Sequence, residues 1–135
     1  MSFHMKQELK QIHDRDCLLL ALTTLNFNYG VHPEPIAVRG WQQEILSTRC
    51  EIVLAREKTG LRADIGFHQE EDGTFTVVSD SFANGDMPSF MTDLKRTYEE
   101  EQALVRSNQL GYQLESRGDW VEVDGKRYLR MVVTQ

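Results

Sequence analysis

The sequence has no long hydrophobic run. Its longest unbroken apolar stretch covers residues 17–22, far short of the roughly 20 residues that a membrane-spanning helix needs. The opening residues, 1–6, contain no apolar run of the length found in secretory signals. We therefore expect a soluble chain without membrane insertion, located in the cytoplasm.

Cysteine is scarce, and neither cysteine nor histidine occurs in a metal-binding pattern. The two cysteines, Cys17 and Cys50, form no CxxC motif, which argues against a zinc clip or a thioredoxin-like redox pair. Each stands beside apolar residues, so we expect reduced thiols in the core. The histidines lack the spacing of a metal motif, and we expect neither a metal nor a cofactor. They are His4, His13, His32 and His68.

The chain also lacks an excess of basic residues. Its formal net charge is −6 and its isoelectric point is about 5.2. Binding to a nucleic-acid backbone needs a dense Lys/Arg surface. We therefore expect no nucleic-acid partner.

No familiar catalytic motif is present. The sequence contains no Gly-rich phosphate-binding loop, no nucleophile elbow and no Ser/His/Asp order typical of hydrolases. The motifs therefore predict no reaction, and enzymatic activity is not the first expectation.

The composition is that of an ordinary globular domain. Of the 135 residues, 40% are hydrophobic and 27% are charged, which is close to average usage. A domain of this length buries roughly two-thirds of the surface that its unfolded chain exposes. We expect a single domain over residues 1–135, with a core that needs no disulfide.

Two segments have the apolar spacing of amphipathic helices. The first follows Asp14, a suitable N-cap, and ends near Asn26, which tolerates a left-handed conformation. The second has Asp86 as its candidate cap and Pro88 in its first turn, and it ends before Gly111.

Alternating apolar and polar residues predict strands over residues 50–56, 62–68 and 74–79. The short connections between them indicate an antiparallel meander, and Asp124-Gly125 marks a further hairpin near the end of the chain. We predict an α+β fold, an antiparallel β-sheet with two α-helices packed on one face and a solvated polar face opposite.

Three segments give weaker signals. Pro33 and Pro35 predict a loop, and residues 36–41 could add an edge strand after it. Residues 57–60 read as a turn. Residues 3–13 are ambiguous, because apolar residues there have helical spacing while the alternation expected of a strand is poor.

Several short motifs, taken in order, resemble a known family. They are VRGW at 38–41, DIGF at 64–67, VSD at 78–80, GY at 111–112, DG at 124–125 and RMVV at 130–133. Their order and spacing are similar to the hypothetical chloroplast reading frame thirty-five family, also called domain of unknown function twelve fifty-seven, from algal plastids and cyanobacteria. The resemblance implies an opening strand, which we adopt for residues 3–13. It implies no reaction, and it places the chain in the plastid stroma if the host gene is plastid-encoded.

The chain departs from the family pattern beside Asp80. Members often carry bulky aromatic residues there, including tryptophan, whereas this chain has Ser81 and Phe82. The proline loop is also more elaborate than usual. Both departures weaken the inference of a shared ligand surface near Asp80.

Polar residues on the strands are the candidate site residues. Asp64 and His68 share one strand face but lie about 13 Å apart at roughly 3.3 Å per residue, so partners must come from neighbouring strands. Glu51 and Arg39 are candidates: an Asp–His general base could work with Arg39 gripping a carboxylate or phosphate. The plainer interpretation, a solvated face with weak ion pairs, is favoured.

Trp41, next to Arg39 in sequence, suits either a core or a protein contact. The leading hypothesis is a small accessory or assembly protein that binds another protein, with speculative binding residues Arg39, Trp41, Glu51, Asp64, His68 and Asp80. The alternative is a small-molecule-binding protein or enzyme that uses the polar sheet face. Homo-oligomerisation through an exposed strand edge stays open.

Overall fold

The computed structural model describes residues 4–42, 44–46, 48–80, 87–111, 113–114, 119–130 and 133–134. Its elements are, in order, β1 (His4–Leu9), α1 (Arg15–Thr24), β2 (Gly30–Ile36), β3 (Cys50–Leu54), α2 (Arg56–Thr59), β4 (Ile65–Gln69), β5 (Phe75–Asp80), α3 (Met87–Gln109), β6 (Gln113–Leu114), β7 (Asp119–Val123), β8 (Lys126–Arg130) and β9 (Val133–Thr134). The candidate helix cap Asp86 lies outside the described residues.

One five-stranded sheet organises the fold, in the order β1-β5-β4-β3-β2. All of its neighbouring strands are antiparallel. The predicted meander is confirmed as β3, β4 and β5. The opening strand that the family resemblance implied is confirmed as β1, which pairs with β5.

The main core lies between this sheet and the two long helices. On the sheet side, Ile52, Phe67 and Val77 occupy neighbouring positions on three strands and are fully buried. The helices contribute Cys17, Leu18, Ala21, Leu22, Met87, Met91, Leu94 and Tyr98 to the same cluster. The predicted α+β class, with α1 and α3 packed on one face of an antiparallel sheet, is confirmed.

Local capping fixes where α1 begins and ends. The Asp14 carboxylate accepts a hydrogen bond from the Cys17 amide at 3.1 Å, as predicted for an N-cap. Asn26 ends the helix with a φ of 66°, also as predicted. The Tyr98 hydroxyl accepts from the backbone amides of His13 and Asp14 at 3.3 and 3.0 Å, which ties α3 to the start of α1.

The prediction of a loop at Pro33 and Pro35 was wrong, because both residues lie in strand β2. A proline lacks the amide hydrogen of a sheet ladder and is tolerated on an edge strand. β2 is such an edge, and its register against β3 shifts between Val31 and Ile36.

Two neighbouring segments also differ from the prediction. Instead of an edge strand over 36–41, the chain there makes an isolated bridge between Arg39 and Ile45. The predicted turn at 57–60 is the short helix α2, closed by Gly60 with a φ of 78°. One helical turn fits this connection as well as a tight turn does, so turn-forming residues alone could not separate the two.

The face of the sheet away from the helices is half covered, so the prediction of a wholly solvated face was wrong. A second buried cluster lies on this side and consists of Val38, Leu46, Cys50, Val53 and Val78. Gly66 permits this packing. A Cβ at that position would stand 2.5 Å from Val38 Cγ2 and 2.6 Å from Cys50 Sγ.

Both cysteines are free and buried, as predicted. Burial raises the pKa of Cys17 to about 11, with a further contribution from the Asp14 charge. Burial also raises the pKa of Cys50 to about 12. Both groups are therefore neutral thiols at physiological pH, and thiolate chemistry is disfavoured.

The predicted hairpin near the end of the chain is confirmed as β7 and β8. Asp124 and Gly125 have φ values of 52° and 76°, which suits a two-residue hairpin turn. Trp120 on β7 donates from Nε1 to Glu100 of α3 at 2.9 Å, so the hairpin rests on that helix. Within the described segments, no helix is long and apolar enough to cross a membrane.

Candidate functional site

Asp64 is a buried carboxylate that several donors surround. Its side chain accepts from the Arg39 amide at 3.0 Å, from Arg39 Nε at 3.0 Å and from the Arg56 amide at 2.9 Å. Only 1% of the residue is exposed. Arg39 lies before β3, Arg56 lies after it, and Asp64 precedes β4. This carboxylate therefore joins the chain on both sides of β3 to the start of β4.

Arg39 is held between two acidic side chains. Its Nη2 atom donates to Glu57 Oε2 at 2.6 Å, while Nε faces Asp64. The hydrogen bond from Arg39 lowers the pKa of Glu57 to about 2, and the two carboxylates raise the pKa of Arg39. Arg39 therefore pairs with acidic groups of the protein itself, although a third of its side chain remains exposed.

Asp80 anchors the backbone at Trp41. The Asp80 carboxylate is fully buried and accepts from the Trp41 amide at 3.0 Å. The Trp41 carbonyl accepts from Arg56 Nη1 at 3.2 Å. The Gly40 amide donates to the Glu44 carbonyl at 2.8 Å and brings Glu44 back beside it.

Gly40 lies close to two carboxyl groups. The carboxyl groups of Glu44 and Asp80 both lie against its α-carbon, where a Cβ would meet them. A side chain at this position would therefore displace the Glu44 carboxyl group and crowd that of Asp80.

Trp41 and Ile45 are held out from this anchored backbone. Trp41 is 53% exposed and Ile45 is 69% exposed. We call Trp41, Ile45 and the neighbouring Arg56 the Trp41 surface. Trp41 and Ile45 supply exposed apolar groups from one short segment, and Arg56 supplies a charged group beside Trp41.

A different polar pair lies further along the sheet. His68 Nδ1 and Glu51 Oε2 are 2.9 Å apart on neighbouring strands β4 and β3. The Gln69 amide also points to Glu51, at 3.4 Å. This arrangement orients the imidazole.

His68 lines an open groove of about 900 Å³ on the uncovered half of the sheet face. Glu8, Thr76 and His68 follow one another across β1, β5 and β4. The rest of the lining is Lys6, Gln69, Glu70, Glu71 and Asp72. The groove is thus polar and carries more acidic than basic groups.

The candidate residues predicted from the sequence fall into two groups. Arg39, Trp41, Asp64 and Asp80 come together around residues 39–41. Glu51 and His68 pair with each other at the groove, whose lining includes neither Asp64 nor Arg39. The groove therefore does not bring Asp64, His68 and Arg39 together as the predicted constellation.

Sequence reasoning missed Arg56, Glu57 and Glu44. Arg56 and Glu57 come just after β3. Arg56 reaches Trp41 and Glu57 reaches Arg39 only because β3 returns the chain beside them. The one available signal was Gly40 between Arg39 and Trp41, since a glycine inside an extended segment often marks a close approach. Among the residues that the structure describes, no group of three or more His, Cys, Asp or Glu could hold a metal ion.

The fold and these contacts define a small α+β protein with a five-stranded antiparallel sheet, two long helices on one face of that sheet and an anchored Trp41 surface on the other. Residues 21–129 match the family model described as Protein of unknown function (DUF1257). The match covers most of the chain, and the protein belongs to this family. Comparisons with curated proteins and with solved structures gave no significant match.

Proposed function

We propose that this protein is a non-enzymatic accessory or assembly protein that binds a protein partner through the Trp41 surface. One observation carries the proposal: Trp41 and Ile45 are more than half exposed, although the Trp41 amide is held by the buried carboxylate of Asp80 and Ile45 is bridged to Arg39, whose amide is held by Asp64. An apolar surface without such anchoring could be a mobile loop. This one is preorganised.

The chemistry of the surface suits a protein–protein contact. Tryptophan and arginine are enriched among the residues that carry most of the binding energy at interfaces. Arg56 donates to the Trp41 carbonyl, and Arg39, two residues before Trp41, is held by the Asp64 carboxylate. Because the surface is already ordered, a partner would bind without the entropy cost of ordering it.

We further propose that the protein acts in the cytoplasm, or in the plastid stroma, of a photosynthetic organism. The motif resemblance to the plastid and cyanobacterial reading-frame family supports the host. The two buried neutral thiols suit a reducing compartment.

A comparative capture experiment tests the partner proposal. Tagged wild-type protein and the double variant Trp41→Ala/Ile45→Ala are used to capture proteins from native lysate, followed by quantitative mass spectrometry. We expect a protein recovered in near-stoichiometric amount by the wild type to fall at least about tenfold with the double variant, since losing an interface anchor costs about 2 kcal/mol or more.

The control variant is Leu110→Ala. Leu110 is 65% exposed at the end of α3, so it removes a comparable apolar group from another place. It should capture the partner as the wild type does, and circular dichroism should show all three proteins folded. Equal recovery by wild type and double variant, or no stoichiometric protein at all, would contradict the proposal.

The groove beside His68 favours a second candidate function, the binding of a small molecule. Its volume of about 900 Å³ is large enough for one, and Glu51 orients the imidazole of His68. The surplus of carboxylates selects a cationic ligand such as a polyamine. Arg39 does not line the groove, which weakens the original idea that it grips an anionic substrate here.

The second candidate predicts that spermidine, titrated calorimetrically, binds the wild type and binds the variant Glu51→Gln/His68→Ala less tightly. Glu99→Gln serves as the control, since it removes one acidic charge from α3, which contributes none of the groove lining. An equal loss with the control would mean unspecific charge attraction. No binding to the wild type would remove this candidate.

A further inference from the structure

The two edges of the five-stranded sheet differ in their capacity to accept another strand. β2 contains Pro33 and Pro35, which have no amide hydrogen to donate. β1 contains no proline, and across the described ranges it pairs on one side only, with β5. Three successive β1 residues, Lys6, Gln7 and Glu8, are exposed. β1 is therefore the edge open to strand addition.

Symmetry restricts how two copies of β1 can pair. Residues opposite each other in an antiparallel pair lie on the same face of the sheet. A two-fold axis perpendicular to the sheet maps each face of one protomer onto the same face of the other. A residue must then face itself or one that is an even number of positions away. Lys6 can face Lys6, Glu8 or Lys10 of a second copy, but it cannot face Gln7.

Charge selects one of these registers. With Gln7 facing Gln7, Lys6 faces Glu8 of the second copy, and Glu8 faces Lys6. Centring the pair on Lys6 or on Glu8 instead places two like charges directly opposite each other. Opposite charges across a strand pair are favourable and like charges are unfavourable. Of the registers centred on the exposed residues Lys6, Gln7 and Glu8, only the one centred on Gln7 is therefore complementary to itself.

We propose that β1 is a homodimerisation edge, and that two copies pair antiparallel about Gln7 to continue the sheet from one protomer into the next. The Lys6–Glu8 cross-strand pairs fix the register. Lys6 and Glu8 also line the groove that holds His68, so the dimer would place two grooves side by side. No residue of the Trp41 surface belongs to β1, so the two proposals concern different residues.

Charge-exchange variants test the proposal. Sedimentation equilibrium from about 1 µM to about 1 mM, the range of weak interfaces, should show a monomer–dimer equilibrium for the wild type. Lys6→Glu and Glu8→Lys should each weaken dimerisation at least about tenfold, because each opposes like charges. The double variant Lys6→Glu/Glu8→Lys should restore it.

An equimolar mixture of the two single variants provides a second readout. One carries acidic groups at both positions and the other basic groups, so the mixture should form heterodimers that neither variant forms alone. The control is Lys58→Glu, the same charge change at an exposed position on α2, which follows β3 and is not part of the β1 edge. It should dimerise as the wild type does.

Both substituted side chains are exposed, so the variants should fold. A wild type that stays monomeric up to the highest concentration would overturn the proposal. So would a double variant that dimerises no better than the single ones, because that result would separate dimerisation from the Lys6–Glu8 pairing.

Discussion

Replacing Asp64 with alanine is expected to lower the free energy of unfolding by about 3 kcal/mol. The carboxylate satisfies the backbone amides of Arg39 and Arg56 and neutralises the Arg39 guanidinium. Because the site is buried, water cannot replace these hydrogen bonds without opening the structure.

Urea unfolding followed by circular dichroism measures this effect. The control is Glu57→Gln, which breaks the other ion pair of Arg39 at an exposed position and should leave the unfolding midpoint nearly unchanged. A loss below about 1 kcal/mol for Asp64→Ala would mean that the Arg39 and Arg56 amides find other partners.

Asp64 links stability to the proposed function. It positions Arg39, whose backbone precedes Gly40 and Trp41, while Asp80 fixes the next amide along. Two buried carboxylates therefore support one exposed tryptophan. Neither is placed to reach a partner directly, so we interpret both as positioning residues for the Trp41 surface.

Features set by neighbours in sequence could be predicted. The Asp14 cap, the left-handed Asn26 and the Asp124-Gly125 turn depend on residues a few positions apart, and all three were correct. The meander followed for the same reason, since its strands are joined by short connections. The opening strand needed the family resemblance, because its own pattern was ambiguous.

Features set by distant residues could not be predicted. The alternation of residues around Asp64 assigned its side chain to the face opposite Ile65 and Phe67. Because that face is polar, we predicted that Asp64 would be exposed to solvent. Val38, Arg39 and Leu46 cover this part of the face and reverse that outcome, and no residue of β4 itself indicates it. Pro33 and Pro35 misled for a related reason: a proline indicates a loop until the strand is known to be an edge.

We therefore propose a different role for each half of the sheet face that points away from the helices. Its covered half is dry and supports the Trp41 surface, while its open half forms the polar groove at His68. The boundary between the halves crosses β4 and β5. The pair Gly66 and Val78 lies on the covered side, and the pair His68 and Thr76 lies on the open side. The covering of the first half depends on Gly66.

Replacing Gly66 with alanine is expected to lower the free energy of unfolding by about 2 kcal/mol, the usual scale of overpacking. Away from such crowding, alanine in a strand would be more favourable than glycine by roughly 0.5–1 kcal/mol. Here the new methyl group would stand 2.5 Å from Val38 Cγ2 and 2.6 Å from Cys50 Sγ, so the segment carrying Val38 must move away from the sheet.

A double-mutant cycle with Val38→Ala identifies the cause. Val38→Ala alone should also destabilise the fold, because it leaves a cavity. In the double variant Val38→Ala/Gly66→Ala the added methyl occupies that space, so its loss should be smaller than the sum of the two single losses by about 1 kcal/mol. If the two losses of unfolding free energy simply add, the added methyl group is crowded by Cys50 and not by Val38. Gly66 would then be needed for packing within the sheet and not for docking the segment that carries Trp41.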